Sequence, residues 1–200
     1  MQPKRQGRPP TIENARGQIL AEAAAKFARA GYDGTSMDDI ADSVGVTKAG
    51  IYHYFPNKKA IYEAIVFNTL DGLLRFVSAA IAPARDPENA LSTFMAAHAD
   101  YVEAHHDAVL TMLIGFGGMR NAVMTAEAQK LRNDHAALLR NIIASGISDG
   151  RFREVDVRTA SRAVLSMLNS MARWFKPGQG RRAADFAKDY CDLVLGGLRK

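Results

Sequence analysis

The stretch that decides the fold is residues 35–61, which read TSMDDIADSVGVTKAGIYHYFPNKKAI. Ser36, with Asp39 three residues later, approximates a capping box and predicts the start of a short helix. Gly45 ends that helix, because glycine readily adopts the left-handed conformation of a tight turn. Thr47 is suited to cap a second short helix. Two short helices joined by a three-residue turn that contains glycine indicate a helix-turn-helix.

The second short helix carries side chains that a purely structural helix of this length rarely shows. Ile51 and Phe55 are the apolar anchors, and the other residues are small, basic or hydrogen-bonding. They are Lys48, Ala49, Gly50, Tyr52, His53 and Tyr54. Side chains of these kinds are suited to contact base edges and phosphates.

These residues, continued by the segment 57–61, closely resemble the DNA-binding domain of the TetR (tetracycline-repressor) family of transcriptional regulators. The resemblance covers roughly residues 12–65. The family often has Phe directly after Tyr-x-His, whereas this chain reads Tyr52-His53-Tyr54-Phe55. A tyrosine hydroxyl can also reach a phosphate, so we expect the role to be kept.

The resemblance implies that the second helix lies in the major groove of DNA, where each base pair presents a distinct pattern. We expect base contacts from Lys48, Gly50, Tyr52 and His53, with Ala49 beside them. We expect phosphate contacts from Thr35, Ser36, Thr47, Tyr54 and Lys58. The alternative for the lysines at 58 and 59 is a solvated helix face.

The basic excess of the chain is concentrated near its start. The chain has a formal charge of +5, and residues 1–60 hold nine Lys/Arg against six Asp/Glu. We expect residues 1–10 to form a flexible basic arm. Its Gly-Arg-Pro sequence resembles arms that enter the minor groove, where Arg5 and Arg8 would contact DNA. A solvated tail without DNA contact is the alternative.

The whole chain of 200 residues is predicted to be all-α, with about nine helices. We expect a three-helix DNA-binding domain over residues 11–60, with Thr11 as its first cap, and an effector-binding and dimerisation domain over 61–200. Cys191 is the single cysteine, which excludes an intramolecular disulfide. No apolar run reaches the 18 or so residues of a membrane helix. A cytoplasmic location fits these features.

The last two predicted helices have more apolar surface than one packed face requires. The resemblance implies that they form a homodimer through a four-helix bundle. A two-fold dimer would present two reading helices to a palindromic operator.

The predicted body is rich in methionine, which adapts to irregular apolar ligands, although core packing is the alternative for each one. A glycine-rich break at residues 115–118 is expected to interrupt the helix there, and no cofactor is expected. An effector that is either lipophilic or aromatic, or a CoA thioester, is expected. For the CoA alternative, Arg173, Lys176, Arg181 and Arg182 would meet phosphates and Trp174 would stack on adenine. The candidate effector contacts are Met112, Phe116, Met119, Met167, Asn169, Met171, Arg173 and Trp174.

Two rival classes remain at this point. A metal-dependent enzyme would need His98, His105 and His106 to converge, but adjacent residues on a helix face different ways. The catalytic motifs of serine hydrolases, zinc proteases and nucleotide-binding enzymes are missing from the sequence. A membrane-surface protein would need helices with a lysine-rich polar face, which these helices lack.

Overall fold

The computed structural model describes residues 14–118 and 124–199, without the side chains of 116–118. The described residues form nine α-helices, which confirms the all-α prediction. The helices are α1 (Ala15–Ala30), α2 (Met37–Val44), α3 (Lys48–Tyr54), α4 (Lys58–Ile81), α5 (Pro87–Ala104), α6 (His106–Gly118), α7 (Ala126–Ser148), α8 (Val157–Trp174) and α9 (Ala183–Leu198). One isolated antiparallel bridge joins Phe152 to Arg199.

The predicted helix starts follow from local capping chemistry. The backbone N–H of Asp39 donates to Oγ of Ser36 at 3.0 Å, and the Asp39 carboxylate accepts from the Ser36 backbone N–H at 2.8 Å, which confirms the capping box. Thr47 and Asn57 cap α3 and α4 in the same way. Each such cap contributes about 1 kcal/mol to stability. Thr11 lies outside the described residues, and the described α1 begins after Asn14.

The prediction that residues 115–118 interrupt a helix was wrong. Helix α6 continues through Gly118. Gly115 is buried against Tyr62 of α4, and a Cβ added at this glycine would overlap the Tyr62 hydroxyl. Close packing of α6 on α4 therefore offsets the low intrinsic helix propensity of glycine.

Helix α4 joins the two parts of the molecule. It packs on α1 near its start and on α5, α6 and α7 along its length. The predicted boundary between residues 60 and 61 therefore falls inside one continuous helix. Among the described helices, α4 alone is long and apolar enough to cross a membrane, but Ile61, Ile65, Leu73 and Val77 bury one face of it inside the protein. We therefore interpret it as a core helix.

Candidate functional site

Helix α3 presents a polar and aromatic face to solvent. Its anchor Ile51 is fully buried, and Phe55 directly after the helix is only 3% exposed. Tyr52 is 45% exposed and Tyr54 is 40% exposed. Aromatic rings that serve only to pack the core would be buried. His53 is also exposed, and its ring packs edge-on against Tyr54 with centroids 5.3 Å apart. The face predicted to read DNA is therefore accessible.

The start of α3 is fixed by its own side chains. Oγ1 of Thr47 accepts a hydrogen bond from the backbone N–H of Gly50 at 3.1 Å. A Cβ at Gly50 would lie 3.3 Å from that hydroxyl, so glycine gives the cap room. Ala49, next to Gly50, is exposed, and its side chain is only a methyl group. A small surface here allows close approach of another molecule to the first turn of α3.

Lys48 is exposed and paired within the domain. Its Nζ lies 2.8 Å from Oδ2 of Asp38 on α2. The hydrogen bond and the charge of Asp38 raise the pKa of Lys48. Both side chains are more than half exposed, so this ion pair contributes little to stability. Lys48 can exchange Asp38 for a nucleic-acid partner at small cost.

Two residues predicted to contact phosphate are engaged inside the protein. Thr35 is only 3% exposed, and its hydroxyl donates to the Gly31 carbonyl at 3.0 Å. Nζ of Lys58 donates to the backbone carbonyls of Tyr32 and Thr35 at 2.6 and 2.7 Å. It also lies 4.3 Å from the centre of the Tyr32 ring. These side chains hold the α1–α2 turn against the start of α4. The buried Thr35 hydroxyl is therefore corrected to an internal role, whereas phosphate contact from the half-buried Lys58 stays a prediction.

Ser36 stays exposed but uses its hydroxyl in the capping box of α2. Arg5 and Arg8 of the predicted arm lie outside the described residues. The accessible candidates for DNA contact on the described chain are thus Ser36, Thr47, Lys48, Ala49, Gly50, Tyr52, His53 and Tyr54.

A cavity of about 650 Å³ lies between α4, α5, α6, α7 and α8. Its size falls in the usual range for small-molecule sites. Its apolar lining residues are Leu70, Leu73, Met112, Leu113, Ala136 and Leu165. Its polar lining residues are His98, Arg132, Asn133, His135, Arg140, Arg158, Ser161, Arg162, Ser166 and Asn169.

Four arginines and no acidic residue line this cavity. Arg132, Arg158 and Arg162 are exposed, and Arg140 is half-buried, which places positive charge towards solvent. Arg158 lies in the first turn of α8, where a cation opposes the helix dipole. Its position is therefore not explained by stability of that helix.

One carboxylate lies near these cations without lining the cavity. Asp156 caps α8 by accepting from the backbone N–H of Thr159 at 2.7 Å. Hydrogen bonds from Thr159 lower the pKa of Asp156, and the charges of Arg158 and Arg162 lower it further. Asp156 therefore offsets part of the positive charge of Arg158 and Arg162, but its carboxylate does not line the cavity.

The histidines in this cavity are deeply buried. His98 is 1% exposed and His135 is 5% exposed, with ring centroids 5.2 Å apart. Burial lowers the pKa of His98 well below its usual range, and the neighbouring His135 lowers it further. Burial also lowers the pKa of His135 to about 4. Both imidazoles are therefore neutral near pH 7.

The cavity contains only part of the predicted effector site. Met112 and Asn169 line it, as the prediction requires. Met171 is fully buried, and Met167 also packs against the hydrophobic core. The side chain of Phe116 and the whole of Met119 lie outside the described residues. The lining residues of α8 recur at three- and four-residue spacing and therefore lie on one face of the helix. Met167 and Met171 lie on the other side of α8.

The cations predicted to bind CoA phosphates lie elsewhere. Arg181 pairs with Asp189 and Arg182 pairs with Asp100, each at 2.7 Å. Arg173 and Lys176 are exposed and do not line the cavity.

Trp174 is 45% exposed, and its ring packs edge-on against Phe186 with centroids 5.1 Å apart. Met167, Met171, Arg173 and Trp174 do not line this cavity, so effector contact by these residues stays a prediction.

The arginines and His135 were missed in the sequence. Arg158 and Arg162 are four residues apart, a spacing that places them on one helix face. Arg132 and Arg140 on α7 are eight apart, which returns to a similar face. The sequence shows this spacing, but tertiary packing decides which helix faces line a common cavity.

The metal hypothesis has no geometric support. His98 lines the arginine-bearing cavity, whereas His105 and His106 line a separate cavity of about 600 Å³ beside α1. Within residues 14–118 and 124–199, no group of three or more His, Cys, Asp or Glu side chains is placed to hold a metal ion.

Helix α6 connects the cavity to the DNA-binding domain. Met112 and Leu113 line the cavity, while Oγ1 of the adjacent Thr111 donates to the Ala24 carbonyl of α1 at 2.9 Å. One turn further on, Gly115 packs on Tyr62. The ring of Tyr62 stacks edge-on against Tyr32, with centroids 5.7 Å apart. The residues of α6 that line the cavity and those that contact the DNA-binding domain therefore lie on the same two turns of the helix.

Comparison with known proteins gives the family. Residues 84–198 match the family described as "Tetracyclin repressor-like, C-terminal domain". Residues 19–65 match the family described as "Bacterial regulatory proteins, tetR family". The chain belongs to the TetR family of transcriptional regulators. It is accordingly a DNA-binding regulator and not an enzyme.

Individual relatives span nearly the whole chain. The HTH-type transcriptional repressor KstR2 of Rhodococcus jostii (strain RHA1) is 27% identical over 184 residues, which are 92% of this chain and 90% of that protein. The TetR family regulator PfmR from Thermus thermophilus is 42% identical, with a TM-score of 0.81, over 91% of this chain and 99% of its own. AibR, crystallised with isovaleryl coenzyme A and operator DNA, has the same fold at 23% identity, with a TM-score of 0.76 over 92% and 98% of the two chains.

The internal role of Lys58 generates a test. Lys58→Ala removes two hydrogen bonds from an ammonium group to carbonyls, so we expect the melting temperature to fall by roughly 6 °C or more. Lys59→Ala is the matched control, because Lys59 only pairs with Glu63 one turn along an exposed helix face. Equal melting temperatures for both variants would contradict the internal role.

The exposed face of α3 generates a second test. Tyr52→Ala and His53→Ala should each weaken binding to a duplex selected by the parent protein from a random library, by roughly tenfold or more. The melting temperature should barely change, because both side chains are exposed. Phe76→Ala is the control, since Phe76 is 48% exposed but lies far along α4. Fluorescence anisotropy measures the affinities, and unchanged affinity in both α3 variants would refute the assignment of the reading face.

Proposed function

We propose that the protein is a transcriptional repressor that binds a palindromic operator as a homodimer and is released from it by a CoA thioester. The observation that carries the effector proposal is the cavity between α4 and α8, with its apolar wall and its four arginines. This proposal places the repressor on DNA in the cytoplasm.

The lining chemistry favours a CoA thioester over an uncharged lipophilic or aromatic effector. Leu70, Leu73 and Leu113 offer apolar contact for an acyl group. Arginine guanidinium groups match phosphate oxygens in shape and charge. An uncharged effector would fill the apolar part and would not use the positive charge of Arg158 and Arg162. AibR, which has this fold, binds isovaleryl coenzyme A, so the fold can hold such a ligand.

The dimer proposal draws on the outer surface of α8 and α9. Leu193 on α9 is 72% exposed, and Trp174 at the end of α8 is 45% exposed. Phe186 is partly buried between them and packs on Trp174. Exposed large apolar side chains on neighbouring helices are typical of an association surface. A two-fold dimer through this surface would carry two copies of α3 to two half-sites.

Release would act through α6 and α4. Both helices line the cavity, and both contact α1. A ligand that displaces Met112 and Leu113 would shift the neighbouring Thr111, which is bonded to α1. A small change in the orientation of the DNA-binding domain of each protomer would alter the distance between the two copies of α3. The free operator-binding state and the ligand-bound state then compete through differential affinity.

The effector proposal is tested at the arginines. The double variant Arg158→Ala/Arg162→Ala should bind CoA thioesters at least tenfold more weakly, because each lost charge-assisted contact is worth about 1.5–3 kcal/mol. Isothermal titration with butyryl-, octanoyl- and dodecanoyl-CoA gives the affinities. Operator binding without ligand should be unchanged, since neither arginine lies in the DNA-binding domain.

Arg173→Ala is the matched control, because this exposed arginine of α8 does not line the cavity. It should bind the thioesters like the parent. If the control loses binding and the double variant keeps it, the ligand lies at the end of α8 instead. If no thioester binds the parent or releases the operator, the CoA proposal is refuted.

A further inference from the structure

The inner part of the effector cavity is polar where an acyl chain would need apolar contact. His98 and His135 are both more than nine-tenths buried and both line the cavity. Asn169 on α8 also lines it. These three residues come from three different helices, so the fold brings them together. We call this group the polar floor.

The polar floor has unused hydrogen-bonding capacity. Neither Nδ1 nor Nε2 of His98, nor Nε2 of His135, has a hydrogen-bond partner in good geometry among the described residues. The side chain of Asn169 interacts with the His98 ring and opposes the lowering of the His98 pKa by burial, so the second His98 nitrogen and Nε2 of His135 are the atoms left without a partner. Buried polar nitrogens without partners are rare and need an explanation.

The chemistry of the floor indicates what it can bind. A neutral imidazole carries one N–H donor and one acceptor nitrogen, and an amide side chain adds donors and an acceptor. A hydroxyl group satisfies both a donor and an acceptor, and a ketone oxygen accepts from the N–H groups. A carboxylate is a poorer match, because it would have to lose its hydration beside uncharged partners. A saturated hydrocarbon end would leave every one of these nitrogens unpaired.

We propose that the polar floor recognises a hydroxyl or ketone oxygen on the buried part of the effector. This rests on the proposed function, in which the cavity holds the effector. The ligand then has two polar ends, a phosphate-bearing end at the arginines and an oxygenated end at His98 and His135. Leu70, Leu73 and Leu113 contact the apolar part between them. The floor thus favours oxygenated effectors over plain fatty-acyl ones, which bind the same cavity more weakly.

The proposal is tested with paired ligands that differ in one oxygen. Saturated acyl-CoAs of four to twelve carbons are compared with their ω-hydroxy counterparts, and the corresponding free carboxylic acids are compared in the same pairs. Isothermal titration and thermal shift give the affinities. We expect at least one chain length at which the hydroxy member binds the parent about tenfold more tightly. His98→Leu and His135→Leu should each abolish this preference, and both should bind the saturated member at least as well as the parent.

His105→Leu is the matched control, because His105 is an exposed histidine of the other cavity. It should keep the preference. Asn169→Leu provides a variant at a partly exposed position if a buried histidine variant fails to fold.

The proposal is overturned if no hydroxy member is preferred at any length, since bound water then satisfies the floor. It is also overturned if the preference survives in the folded floor variants, or if none of the ligands binds. Failure of the proposed function is separate: hydroxy thioesters that bind tightly without releasing the operator would refute the effector role and leave the floor's preference intact.

Discussion

The structure depends on the close contact of α6 with the helices of the DNA-binding domain. Oγ1 of Thr111 is hydrogen-bonded to the Ala24 carbonyl in the interior, and the absence of a side chain at Gly115 lets α6 approach the Tyr62 hydroxyl. A packed interior transmits displacement, because it has little free volume to absorb one. The DNA-binding domain is therefore joined to the rest of the chain by a helix that also lines the proposed effector cavity.

The start of α4 is the second part of this connection. Nζ of Lys58 holds the α1–α2 turn through two carbonyls, and the Tyr32 ring lies against both Lys58 and Tyr62. Burial raises the pKa of Tyr62 to about 12, so its hydroxyl stays neutral beside α6. Contacts from α6 therefore reach the turn before α2 through uncharged packing and one fixed cation. The exposed face of α3 is left free for DNA.

Local chemistry explains which features could be predicted from the sequence. The caps at Ser36, Thr47 and Asn57 and the turn at Gly45 depend on residues a few positions apart. The helices of the DNA-binding domain could therefore be predicted from the sequence. The cavity proposed to bind the effector could not be predicted, because it depends on which faces of five helices meet. The sequence pattern indicates His98 only as a metal candidate, and it points to Arg173 rather than to Arg158 as the ligand-binding cation of α8. Lys58 shows a similar limit, since its partners lie 23 and 26 residues away.

Effector binding in the cavity and operator binding at α3 are expected to be coupled through α6. The direct measurement is the affinity of the tightest-binding thioester for the free protein and for the operator complex, in the parent and in Thr111→Val. We expect the parent complex to bind it at least tenfold more weakly than the free protein, within the usual range of coupling energies of about 1–3 kcal/mol. Thr111→Val should reduce this ratio while leaving the affinity of the free protein unchanged. Equal affinities in the two parent states, or an unchanged ratio in Thr111→Val, would contradict the account.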